Sequence, residues 1–94
     1  MKTVCLNQYA PIISDEQIGE EIYKVINDAL SNDIVTVDFD GVKSMATFCA
    51  KQIFGKLYKG LGPESFYEKI FIKNANEDLK VIIRMGIVSA LNNS

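Results

Sequence analysis

Apolar residues along this chain switch between near-continuous short runs and three-to-four-residue spacing, and the switching predicts three strands, each followed by a helix. Thr3–Gln8 opens as a strand around Val4-Cys5-Leu6. Pro11 disfavours helix at Ala10, so residues 9–13 read as a loop or short extended segment. Ser14 is the expected cap of the first helix, with Gln17 completing a capping box and Asp15 and Glu16 set against the positive end of the dipole. Ile18, Ile22, Val25, Ile26, Ala29 and Leu30 make its apolar stripe, and Glu20, Glu21, Lys24 and Asp28 fall off it toward water. Ser31-Asn32-Asp33 then turns the chain.

Ile34–Phe39 is the strongest strand, β-branched and nearly continuous, the pattern of a central strand covered on both faces. Asp38 and Asp40 must emerge at a surface, because burying both unpaired would be severely unfavourable. A second helix spans Ala46–Leu61, with Ala50, Ile53, Phe54, Leu57, Tyr58 and Leu61 as its core stripe. Gly55 falls in its middle, where glycine costs about 1 kcal/mol relative to alanine, and a close approach to a neighbour would explain it. Gly62-Pro63 stops the helix, Glu64–Tyr67 adds a turn, and Lys69–Lys73 is the third strand. Asn76 is the expected cap of the last helix. Leu79, Ile82, Ile83, Gly86 and Ala90 form one stripe of that helix, while Val81, Met85, Ile87 and Val88 occupy the other side. A helix apolar nearly all round needs cover on more than one face, which predicts a homodimer or partner contact through it. Leu91–Ser94 reads as a frayed end. The resulting architecture is α/β, β-α-β-α-β-α with a mainly parallel central sheet.

With 94 residues there is room for a single domain, 1–94. A hydrophobic content of 48% is ample for so short a chain, which again leaves apolar surface for a partner. Ten basic and twelve acidic residues are mixed along the chain, with no basic patch for nucleic acid. No apolar run approaches the roughly 20 residues of a membrane span, and Met1–Gln8 lacks the features of a signal peptide. The expectation is cytoplasmic. Cys5 and Cys49, far apart and in apolar surroundings, read as buried free thiols. The absence of histidine excludes Ser-His-Asp and Cys-His machinery, histidine metal sites and histidine phosphorelay within the chain.

Val35-Thr36-Val37-Asp38-Phe39-Asp40-Gly41-Val42 carries the candidate chemistry. It resembles the first motif of haloacid-dehalogenase-type phosphatases, which implies a magnesium-dependent phosphoryl transfer with Asp38 as nucleophile and Asp40 as general acid. The later lysine and distal acidic pair of that family have no counterpart here, and Val42 replaces its threonine. Asp40-Gly41 is also an ordinary turn dipeptide.

Read together with Thr47-Phe48, Phe54-Gly55-Lys56-Leu57-Tyr58 and Ile70-Phe71-Ile72-Lys73-Asn74, the same segment resembles the STAS-like domains of unknown function, related to sulfate transporters and anti-sigma-factor antagonists. The resemblance covers most of residues 14–90. It implies a non-catalytic regulatory module of bacterial signalling, without cofactor or metal, that binds a protein partner such as a histidine-kinase-like ATPase. The implied partner surface is Asp38, Asp40, Gly41, Lys43, Ser44, Thr47 and Phe48, together with the face of the second helix. Thr47, and after it Ser44, is the implied phosphoacceptor; helix capping is the competing role for both hydroxyls. Ala46 stands where the antagonists carry aspartate.

Overall fold

The computed structural model describes residues 1–31 and 33–92. The strands are β1 (Lys2–Cys5), β2 (Ile12–Ile13), β3 (Val35–Asp38), β4 (Ser44–Met45) and β5 (Ile70–Lys73). The helices are α1 (Glu16–Leu30), α2 (Thr47–Ala50), α3 (Lys56–Leu61), α4 (Pro63–Lys69) and α5 (Glu77–Asn92). A π-helical segment, Lys51–Gly55, joins α2 to α3 without a break, so the predicted second helix is one rod with a widened middle turn. Among the described residues no helix is long and apolar enough to cross a membrane.

β3 is the centre of a parallel three-stranded sheet in the order β1-β3-β5. Val4, Val37 and Ile72 share one face, and Thr3, Thr36 and Phe71 the other. Val35, Val37 and Phe39 are fully buried beneath the helices, whereas Thr36 and Asp38 are only half-buried. The expectation of a strand covered on both faces is therefore corrected: the helices cover one side, and the polar alternates Thr36 and Asp38 tolerate the open one. Cys5 is exposed because it belongs to that open face, beside Asp38, so only Cys49 is a buried thiol.

Asp15, not Ser14, caps α1: its Oδ1 accepts the backbone N–H groups of Gln17 at 2.8 Å and Ile18 at 3.2 Å. Gly19, Ile22, Ile26, Ala29 and Leu30 are buried, but Val25 lies at the solvent edge of the predicted stripe and is exposed. Asn76 caps α5 as expected, its Oδ1 accepting the Leu79 N–H at 2.8 Å. Leu91 and Asn92 continue α5 rather than fraying from it. Asn32, Asn93 and Ser94, expected in a turn and at a frayed end, lie outside the described residues.

The helical layer is locked where the π-segment crosses α5. A methyl group at Gly86 would lie 2.6 Å from the backbone of Ala50 and Lys51. One at Gly55 would meet the Ala90 Cβ at 2.6 Å and the Gly86 carbonyl oxygen at 2.9 Å. These glycines are the price of a backbone-to-backbone crossing, since neither neighbour is a flexible side-chain tip. Ala50, Ala90 and the buried Leu79 and Ile83 complete the contact.

Alanine substitution separates this crossing from ordinary helical glycine. Gly86→Ala and Gly55→Ala should each lower stability by about 1–3 kcal/mol or more, through overpacking against backbone. Gly60, in α3, has open space where its Cβ would be, so Gly60→Ala should raise stability by about 0.5–1 kcal/mol. Urea unfolding midpoints at constant m-value check both signs.

Candidate functional site

β3 carries Asp38 to the carboxyl end of the sheet, in register with Cys5 on β1 and Lys73 on β5. The Asp38 Oδ1 accepts two hydrogen bonds, from the Asp40 backbone N–H and from Asn74 Nδ2, each 2.9 Å. The Asn74 bond and then the Asp40 N–H hold the Asp38 carboxyl below the usual carboxylate range, against an opposing effect of burial and with a lesser contribution from the Lys73 charge. Asn74 reaches this position from φ 60°, a left-handed conformation that asparagine tolerates better than most residues. Asp38 thus clips the end of β3 to the end of β5.

The chain reverses immediately afterwards. The Val42 N–H donates to the Phe39 carbonyl at 2.9 Å, and Gly41 has φ 84°, the conformation needed at the third residue of a type II turn. The N–H groups of Lys43 and Ser44 both donate to the Pro11 carbonyl, at 2.7 and 3.3 Å. Ser44–Met45 pairs in parallel with Ile12–Ile13, and the Ala46 N–H donates to the Ile13 carbonyl at 2.8 Å. From the other side Asn76 Nδ2 donates to the Lys43 carbonyl at 3.1 Å while its Oδ1 caps α5. The segment 38–46 is consequently fixed by backbone bonds to the β1–α1 connection and by two asparagines.

The predicted site residues divide. Asp38, Asp40 and Gly41 form one turn, with Asp40 and Gly41 exposed. Lys43 is exposed, whereas Ser44 is half-buried in β4. Ala46 occupies the N-cap of α2, and no side chain caps that helix, so the capping role expected of Thr47 or Ser44 is corrected. Thr47 is the first helical residue and is exposed. Phe48 beside it is 53% exposed, an aromatic ring presented to solvent next to a rigid turn.

Asn74, Asn76 and Pro11 are the supporting residues that sequence reasoning left without a role at the site. An asparagine directly after a strand is a signal for left-handed backbone, but its partner Asp38 is 36 residues away and is fixed only by the fold. Nearby, the Tyr9 hydroxyl donates to Glu21 Oε2 at 2.6 Å. Burial first, and then Glu21, push its pKa up to about 12. Among the described residues no three acidic, cysteine or histidine side chains stand together as metal ligands.

A family model described as a STAS-like domain of unknown function (DUF4325) matches residues 18–80. No curated protein and no solved structure matches the chain.

Because the folded-state pKa of Asp38 is depressed, its contribution to stability is present above the unfolded value of about 3.9 and is lost as pH falls through the lower folded value. Asn74→Gly keeps the left-handed backbone but removes the side-chain bond. Carbon-detected NMR titration of the Asp38 carboxyl should then show its pKa rising toward the ordinary range, with acid unfolding less dependent on Asp38. An unchanged titration would mean that Asn74 does not hold the carboxylate.

Proposed function

The chain belongs to the STAS-like domain family of unknown function, and from that premise we propose that it is a non-catalytic regulatory module that binds a protein partner through the Asp38–Phe48 turn. One observation supports this reading above the others: Phe48 and Thr47 stand exposed at the start of α2, on a segment held rigid by its own backbone bonds. A pre-ordered loop loses little conformational freedom on docking, and a half-exposed aromatic ring is the kind of group that anchors an interface. On this reading Asp38 serves the architecture, its Oδ1 being engaged by the Asp40 N–H and by Asn74.

Regulation through this surface runs in bacterial signalling through a histidine-kinase-like ATPase that phosphorylates Thr47. Its exposure favours Thr47 over the half-buried Ser44. A phosphate would add about −1.5 to −2 charges to a surface that carries Lys43. Val81, Met85 and Val88, all about half exposed on α5, would support self-association, which a monomer in light scattering at high concentration would rule out.

The test pairs the chain with a histidine-kinase-like ATPase, sought first among the products of neighbouring genes. Phe48→Ala should weaken the complex about tenfold or more, equivalent to ~1.4 kcal/mol, with little change in the unfolding midpoint. Intact mass after incubation with ATP should increase in the wild type and not in Thr47→Val. Turnover of a generic phosphoester with magnesium, lost in Asp38→Asn, would replace the regulatory reading with a catalytic one.

A further inference from the structure

β5 is an edge strand with two unusual properties: it is apolar, and its outer edge opens into a groove rather than onto helix or loop. The Phe39 N–H donates to the Lys73 carbonyl at 2.9 Å, so Lys73 and, two residues earlier, Phe71 turn their backbone groups toward β3. Alternation then directs the Ile72 N–H and carbonyl outward, along with the Ile70 carbonyl. The Ile70 N–H is already used by the Phe66 carbonyl. Beside this edge runs a groove of about 580 Å³ between β5, α4 and α5. Phe66, Ile70 and Ile83 form its buried part, and Tyr67, Val88 and Leu91 are exposed along it.

Charge identifies the occupant. Among the described residues, the charged ones lining the groove are cationic, Lys80 and Arg84, and two further lysines, Lys69 and Lys73, bracket β5 in sequence. Lys80 lies 3.7 Å from the exposed Glu77, a loose pair of little energetic weight. A second copy of the chain fits poorly. Antiparallel self-pairing centred on Phe71 sets Lys73 opposite Lys69 of the other copy. Centring on Ile72 sets the two Lys73 residues diagonally across, and centring on Lys73 sets them directly opposite. Like charges in those positions destabilise a strand pair.

We propose that the free edge of β5 takes an extended acidic–apolar segment of a partner protein as a fourth strand, with apolar side chains toward the groove and carboxylates on the open face toward Lys73. Main-chain bonds to Ile72 supply the affinity common to any added strand, and the groove on one face with the lysine on the other supplies the selection. β5 spans four residues, about 13 Å, so a short stretch of partner is sufficient. This surface is separate from the Asp38–Phe48 turn, and its occupancy does not depend on the function proposed for that turn.

The probe is a terminally blocked hexapeptide alternating valine and glutamate, compared with its valine–lysine counterpart, added to the intact chain. The glutamate peptide should shift the amide resonances of Ile72 and Asn74, slow hydrogen exchange at the Ile72 N–H, and bind about tenfold or more tightly than the lysine peptide. The variant Lys73→Glu should reverse that preference. Ile72→Pro removes an outward donor and no bond to β3, so it should abolish binding; should it unfold the chain, the exchange and charge-reversal measurements still decide. Equal binding of the two peptides, or no shift at millimolar glutamate peptide, overturns the proposal. So does a dimer in light scattering that Lys73→Glu abolishes or Ile72→Pro dissociates, because the groove would then belong to a second copy.

Discussion

The crossing of the π-segment over α5 is the contact on which the remaining geometry depends. Gly55 and Gly86 let two helical backbones meet without side chains between them, and Ala50 and Ala90 flank the point of contact. Close approach gives a large number of dispersion contacts for few atoms, but it also fixes the helix positions tightly, because a backbone cannot yield as a side chain can. The widened π turn lies in this crossing. Such turns recur where a helix must serve a particular neighbour rather than its own regularity. Once α5 is fixed, both its ends acquire tasks: Asn76 reaches the Lys43 carbonyl at one end, and the far half forms a wall of the β5 groove.

Polar side chains then do at the carboxyl end of the sheet what glycine does between the helices. Asp38 with Asn74, and Asn76 with the Lys43 carbonyl, connect segments distant in sequence through hydrogen bonds of 2.9 and 3.1 Å. None of the three is an exposed decoration, because each satisfies a backbone group or a partner that would otherwise be left open at a strand or helix end. The carboxylate of Asp38 is ionised in a setting that favours its charge, and this makes it an effective structural acceptor. In this fold Asp38 is a clip between β3, its following turn and β5.

Much of this was legible in the sequence. The period-2 and near-period-4 patterns located all three long strands and the helices between them, and Gly55 in the middle of a helical stripe correctly implied a close neighbour. Its partner Gly86 was visible only as another small residue on an apolar helix, since pairing at a separation of 31 residues is decided by packing. The error about β3 has a physical cause. Val35, Val37 and Phe39 alternate with Thr36 and Asp38, and the threonine, being β-branched, passes for a core residue although it faces the open side. Asp15 displaced Ser14 as the α1 cap because both have suitable side chains and adjacent positions. At Thr47, chemistry that permits capping was overridden by placement: Ala46 stands in the cap, held there by its bond to Ile13.

One-sided cover also explains why apolar surface persists in so small a fold. A parallel sheet usually carries helices on both faces, because its crossovers supply them. Here α1 and the α2–α4 run occupy one side, α5 packs over the π-segment, and no described element remains for the other. The open face accommodates this with Thr3, Thr36 and Asp38, but Phe71 remains 46% exposed on it and Ile72 remains 37% exposed at the edge. Edge strands are normally protected by charge, and the lysines that bracket β5 do this against a second copy. Positive charge repels only its like. The arrangement that keeps identical edges apart leaves the same edge receptive to a segment of opposite sign.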